Sequence, residues 1–357
     1  MSEKKLKTAC LGLDQAGQFL LETASKIDFF EIVAVADRDN KLVEKNSLLY
    51  NCDGFDDFRQ LLIQKQFDCL FVASGPYSID EYVRSAMKKG CNVLKLSPAA
   101  RNFEGAAEFV KLAAQENVKF AVAEPARFTQ SFIDFSQYLQ QKKLEQPFLI
   151  DARFSISDSQ LQQQSNDPGL SGGGVLLRNS FSLIDQIVLN FHLPQQLYCL
   201  CTNSAAGRQQ RIYMAEETAV VAMRFNDSLM GNLIASRQKG IGPDEQFLAV
   251  HSPDSILTVS PTLFKVTDSD GKPVEQQEYD YDRAVCFAKV LNNFAMSILG
   301  DPLSPGGHKL ITEGRSYLPT MAVIEAACLS ARTAMPEEPA RVMQMIENQP
   351  TFSWPAH

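Results

Sequence analysis

Apolar positions in the first third of the chain form short unbroken runs separated by amphipathic stretches. TACLGL (8–13), EIVAVAD (31–37), DCLFVAS (68–74), NVLKLS (92–97) and VKFAVAE (118–124) are short and apolar throughout, which predicts buried strands. Between them, AGQFLLETASKI puts Phe19, Leu20, Ala24 and Ile27 on one helical face. DDFRQLLIQK, IDEYVRSAMKKG and FEGAAEFVKLAAQE also read as helices, and Gly90 supplies a stop for the second of these three. Strands alternating with helices at this spacing predict a parallel sheet covered on both faces.

After about residue 125 the period changes. FTQSFIDFSQYLQQKK reads as an amphipathic helix. FLIDARFSIS, QLYCLCTNS, ETAVVAMRF, SLMGNLIAS, EQFLAVHS, SILTVS and LFKVTD alternate apolar with polar, with ND, GP, PD and SDG at the turns. One helix, NSFSLIDQIVLNF, interrupts them, and two close the chain: DRAVCFAKVLNNFAMSIL and KLITEGRSYLPTMAVIEAACLSA. Pro319 predicts a kink or break in the last of these. TAMPEEPARV and QPTFSWPAH are Pro-rich and read as irregular, and residues 157–174, rich in Gln and Gly, read as a long loop. The expected fold is α/β plus α+β. A doubly wound parallel sheet spans residues 1–125, and an open, mixed, mainly antiparallel sheet spans 126–357. A C-terminal helix is free to pack back on the first domain.

The 357 residues suit two domains of roughly 150 residues each. The net charge of -8 argues against a nucleic-acid surface, and no apolar run approaches the ~20 residues of a membrane helix. The opening MSEKKLKTACLGL has too short an apolar run for a secretion signal. Eight cysteines lie scattered, most inside apolar runs, as reduced thiols of a cytoplasmic protein do. The C-x-C pair Cys199 and Cys201 lacks a second pair, so no metal site is expected.

GLDQAG (12–17) falls between the first strand and the first helix. Gly12 and Gly17 match the first and third glycines of a dinucleotide fingerprint. Asp14 stands where the middle glycine lets a pyrophosphate approach, and its charge opposes that ligand. Asp37 ends the second strand where an acid binds the ribose of NAD. Arg38 follows it and suits the 2′-phosphate of NADP, so both cofactors stay open. The alternative is a strand–turn–helix with structural glycines, with Asp37 and Asp39 as turn residues opening a helix.

With these features the chain resembles the glucose–fructose oxidoreductase / inositol dehydrogenase / MocA (Gfo/Idh/MocA) family. The resemblance rests on GLDQAG with VAVAD, on DCLFVASGP with SAMKKGCNVL, on SPAA, on ARF (126–128), on GGGVLLRNSFSLID (172–185) and on MAVIEAACLSA (321–331). It implies an NAD(P)-binding Rossmann domain and hydride transfer on a sugar, cyclitol or related alcohol. It also implies a substrate domain whose open sheet face assembles homo-oligomers. Ser74, Gly75 and Pro76 fall at the family's cofactor loop after the third strand, with Asp80 at its histidine position. The family's Glu-Lys-Pro becomes Leu96, Ser97 and Pro98. Its substrate-binding Asp and His become Arg178 and Ser182, and only Asp185 of that motif remains.

These substitutions imply that ordinary hydride transfer is impaired or lost. The alternative is a non-catalytic sensor or subunit that binds a sugar-like or anionic small molecule. Two residues offer replacements. Lys95 lies two positions before Ser97 on the same strand face and either reaches the old lysine position, snorkels to solvent or pairs with an acid. Arg178, with Arg127 nearby, either suits an anionic ligand or pairs with Asp185. Of the histidines, His192 reads as a helix cap, His251 as a strand end and His308 as the opening of a helix.

Overall fold

The computed structural model describes residues 5–73, 79–156, 173–203, 215–237, 244–300 and 308–347. The chain divides into two compact units, one of Met1–Pro125 with Arg283–Tyr317, the other of Ala126–Asp282 with Leu318–Ser353. Ser74, Gly75 and Pro76, most of the loop 157–174, Gly306–Gly307 and the tail 349–357 lie outside the described residues.

The first unit is a six-stranded parallel sheet: β1 (Leu6–Leu11), β2 (Phe30–Ala36), β3 (Asp53–Phe55), β4 (Cys69–Val72), β5 (Asn92–Leu96) and β6 (Phe120–Ala123). Its spatial order, β3-β2-β1-β4-β5-β6, is the Rossmann order, with the reversal between β1 and β4. Every residue of β4 is fully buried, as a strand covered on both faces must be. Helices α1 (Gln15–Ser25), α2 (Asn40–Tyr50), α3 (Phe58–Gln64), α4 (Asp80–Lys88) and α5 (Phe103–Gln115) connect the strands. Asp14, Asp39, Asp57 and Asn102 cap α1, α2, α3 and α5 with side-chain oxygens on first-turn amides. Gly90, just past α4, takes φ 80°, which a side chain would resist.

The segment after residue 282 returns to this unit. Helix α8 (Arg283–Leu299) sets Phe287 edge-on to Phe19 at 5.2 Å, and Arg283 covers the Phe19 ring at 4.9 Å. Residues 312–314 close the open edge of β6, where Val122 N–H donates to the Thr312 carbonyl at 2.9 Å and Ala121 bridges Glu313. Gly314 lies flat on the Phe120 ring, where a Cβ would come within 2.2 Å.

The second unit carries an eight-stranded sheet. Its strands are β7 (Leu149–Ser155), β8 (Gln196–Thr202), β9 (Thr218–Arg224), β10 (Met230–Ser236), β11 (Glu245–His251), β12 (Ser255–Ser260), β13 (Leu263–Asp268) and β14 (Pro273–Glu278). The order is β14-β13-β12-β11-β7-β10-β9-β8, antiparallel except for the β7–β10 pair. Burial alternates along β7, β9 and β10, so one face is packed and the other exposed. Helix α6 (Gln130–Gln140) covers β12 and β13, and α9 (Leu318–Thr333) covers β8. Helices α7 (Phe181–Phe191) and α10 (Pro339–Glu347) pack against α9.

The break expected at Pro319 is present, because α9 starts only at Leu318, after a 3-10 turn, Gly314–Tyr317; other expectations change. A proline in a first turn gives up an amide that has no partner anyway. The same reason turns PARV into the start of α10 rather than irregular chain. His308 opens no helix; its ring meets Asn293 Nδ2 at 2.9 Å. Helix α2 with strand β3, and strand β14, are further elements. β14 is a polar edge strand exposed at every position, so it lacks a hydrophobic period to read.

The tightest constraint in the first unit is at Gly17. A Cβ there would sit 2.0 Å from the Gly12 carbonyl oxygen and 2.8 Å from its carbon. Backbone cannot yield as a side-chain tip does. Gly17→Ala is expected to cost about 2 kcal/mol, as overpacking does. Urea denaturation beside the surface control Lys26→Ala, expected within about 0.5 kcal/mol, checks this.

Candidate functional site

In the first unit the β1–α1 loop is formed but occupied by its own side chains. Gly12 takes φ 90° and donates to the Ala36 carbonyl at 2.9 Å. The Asp14 carboxylate accepts the amides of Ala16 and Gly17, each at 3.0 Å, and so caps α1. Those amides belong to the helix end that binds a dinucleotide's pyrophosphate in Rossmann folds. Asp37 accepts from Leu13 N–H at 2.6 Å and from Asp39 N–H at 2.9 Å. A carboxylate has about four acceptor sites, so Asp37 keeps capacity for ribose hydroxyls. Arg38 is exposed. Gly12, Gly17 and Asp37 therefore fit the nucleoside side of a dinucleotide, while Asp14 must turn away for the pyrophosphate. Asp14 is exposed, so no packing opposes that rotation.

At the end of β5 the chain turns through a cis Ser97–Pro98 bond. Lys95 does not snorkel to solvent. It is 2% exposed, and Nζ donates to the Pro98 carbonyl at 2.7 Å and the Leu96 carbonyl at 3.3 Å. Its ammonium thus reaches the turn that holds Ser97, but there it braces backbone. Asp80, at the start of α4, is 7% exposed, and its Oδ1 is buried without a hydrogen-bond partner. Arg101 Nε stands 3.6 Å from Asp80 Oδ2. Burial pushes the Asp80 carboxyl up, while Lys95 and Arg101 pull it down.

In the second unit Asp185 is engaged, but not with Arg178. Arg127 reaches it from a 3-10 turn, Pro125–Phe128, and makes a two-pronged pair: Nε to Oδ2 and Nη2 to Oδ1, each at 2.8 Å. The Thr320 hydroxyl adds a bond to Oδ1 at 2.9 Å, and Asp185 is 1% exposed. Arg178 does not share a regular helix with Asp185, because Val175–Asn179 is a π-helical turn and α7 starts at Phe181. π turns recur at functional sites. Gly174 packs on the Glu216 carboxyl, where a Cβ would sit 2.2 Å from Cδ, and Glu216 Oε1 accepts from Leu176 N–H at 3.2 Å. The end of the glycine run is therefore shaped by Glu216. Arg178 and Ser182 are both half-exposed.

Two buried side chains have polar atoms whose lack of a partner the sequence did not announce. Gln186, one position past Asp185, is 1% exposed, and neither amide atom has a partner. Such orphaned groups are rare in native interiors and mark functional positions or bound water. Asp80 carries the same signature. Nothing in the local pattern announces either, since burial of a polar side chain depends on tertiary packing. His192 closes α7 with φ 64° and His251 ends β11.

Residues 6–124 match the family model GFO_IDH_MocA, described as oxidoreductase family, NAD-binding Rossmann fold. No curated protein matches the sequence. Among solved structures, the inositol dehydrogenase homolog complexed with NAD+ from Azotobacter vinelandii superposes with a TM-score of 0.81 at 17% identity, over 94% of this chain and 97% of that one. The WlbA dehydrogenase from Bordetella pertussis in complex with NADH and UDP-GlcNAcA gives 0.78 at 16%, over 94% and 99%. Myo-inositol 2-dehydrogenase from Lactobacillus plantarum gives 0.76 at 19%, over 94% and 99%. At these identities the likeness is one of fold, and it spans both units. The chain shares the two-unit fold of these structures. Over residues 6–124 it is similar to the NAD-binding part of the Gfo/Idh/MocA oxidoreductases.

Breaking the Arg127–Asp185 pair from one side leaves a buried charge alone. Arg127→Met is expected to destabilise by about 3–5 kcal/mol, and adding Asp185→Leu to recover more than half of that. Urea unfolding followed by circular dichroism reads both.

Proposed function

We propose that this is an NAD(P)-binding protein of the Gfo/Idh/MocA kind in which ordinary hydride transfer on a sugar or cyclitol is impaired or lost. The observation that carries the reading is the engagement of Asp185. It is the one acid retained from the family's substrate motif, and Arg127 and Thr320 hold it at 2.8 and 2.9 Å. A carboxylate so held is a poor proton acceptor for a substrate hydroxyl. Ser97 brings a hydroxyl where the family has an amine, and a hydroxyl is no base at neutral pH without a partner. Lys95 brings an amine to the same turn, where the Leu96 and Pro98 carbonyls accept from it.

A bound nicotinamide would supply the hydride acceptor or donor. Gly12, Gly17 and Asp37 support binding of its nucleoside half within residues 1–125. Ser74, Gly75 and Pro76 join that site by resemblance alone. The NAD+ and NADH bound by two of the structural neighbours support the same cofactor class. Residues 126–357 would hold the small-molecule ligand, with Arg127, Arg178 and Ser182 in the family's substrate positions. A second reading, ligand binding without hydride transfer, is favoured by the π-helical turn that carries Arg178. A guanidinium there suits an anionic or sugar-acid ligand.

Free thiols throughout fit the cytoplasm. Among the described residues no helix is long and apolar enough to cross a membrane. The exposed sheet face supports a homo-oligomer, since Leu200, Val220 and Ile234 lie directly opposite one another on β8, β9 and β10 and are all exposed.

Restoring Lys at 97, Asp at 178 and His at 182 together is expected to raise NAD(P)+ reduction with a polyol panel at least tenfold over the wild type. A wild-type turnover of about 1 s⁻¹ or more, within the ordinary enzyme range, would contradict the reading. Val220→Lys is expected to dissociate the oligomer to monomer in light scattering. An unchanged mass would remove that face as the interface.

A further inference from the structure

The β1–α1 loop needs nothing from Asp14 to keep its shape. Gly12 is tied to the Ala36 carbonyl at 2.9 Å, and Gln18 Nε2 donates to the Leu13 carbonyl at 2.9 Å. Lys45 in turn holds Gln18 Oε1 at 2.8 Å. Gly17 lies against the Gly12 carbonyl. What Asp14 contributes is occupancy. One of its oxygens takes both the Ala16 and Gly17 amides, while Asp37 takes that of Leu13. Three loop donors are thus satisfied by carboxylates of the chain itself.

We infer that Asp14 is a built-in competitor for the cofactor's pyrophosphate and the main determinant of this protein's affinity for dinucleotides. This rests on the cofactor-binding reading above. Asp14 opposes a dinucleotide in two separable ways. Its side chain must first leave the helix end, giving up two hydrogen bonds to amides. Its charge then remains beside a dianion, and that repulsion weakens as salt rises. The helix end also favours any anion, so the carboxylate and the pyrophosphate seek the same partial charge. Ligands without a pyrophosphate escape both costs. The site therefore tolerates a dinucleotide only at high concentration or when other contacts compensate.

The two effects call for two variants. Asp14→Gly removes occupant and charge, and glycine is an acceptable cap that costs the helix little. Asp14→Asn keeps a capping oxygen and removes the charge alone. Calorimetric titration of the full chain with NADH and NADPH, at low and high salt, reads affinity directly. Asp14→Gly is expected to bind about tenfold tighter than the wild type. Asp14→Asn should fall between them, at about threefold, and its gain should shrink most at high salt. If Asp14→Gly fails to fold, the Asn variant carries the test, since it retains the cap. Equal affinity in all three proteins overturns the inference while leaving the cofactor reading intact. Absence of saturable binding in all three overturns both.

Discussion

The first unit depends on two glycines meeting. Gly17 packs against the Gly12 carbonyl so closely that no side chain fits between them. That contact sets the angle at which β1 turns into α1, and with it the place of α1 on the sheet. It also brings the first-turn amides of α1 to the carboxyl end of β1, beside the switch point between β1 and β4. A turn of this shape presents backbone donors to whatever anion is available. Here the nearest anions belong to the chain itself, and Asp14 and Asp37 take them.

The same logic recurs at the other positions that carry chemistry. Lys95 reaches the turn after β5 and is held there by two carbonyls. Asp185 reaches the interior of the second unit and meets Arg127 and Thr320. In each case a charged group is answered by a group from its own unit. Buried charges must be compensated to be tolerated at all. Groups held in this way have less capacity left for a substrate. Asp80 and Gln186 are among the exceptions, each with buried polar atoms left over.

The fold was largely legible because its strongest signals are local. Short apolar runs alternating with amphipathic stretches imposed the parallel sheet, and period-two alternation imposed the open one. Elements without such a period escaped: α2 has a weak apolar face, and β14 is polar and exposed at every position. The break read at Pro319 is where α9 begins, whereas TAMPEEPARV, read as irregular, starts α10 at Pro339, because a first helical turn tolerates proline. Identity of residue was legible at the site, and partnership was not. The sequence names Asp14, Lys95, Arg127 and Asp185, but only packing decides that Asp185 answers Arg127 rather than Arg178. The π turn at Val175–Asn179 breaks the helical register on which the Arg178 pairing was based.

The central proposal is that a fold shared with hydride-transfer enzymes persists here while ordinary hydride transfer is impaired or lost. A single-turnover experiment tests this most directly. The protein is held in excess over NADH or NADPH deuterated at the transferring carbon, keto-sugars and inosose-type ketones are added, and the products are read by mass spectrometry. The account predicts no deuterium in any alcohol product beyond the protein-free control. A deuterated polyol formed at the rate of an ordinary enzyme would contradict it.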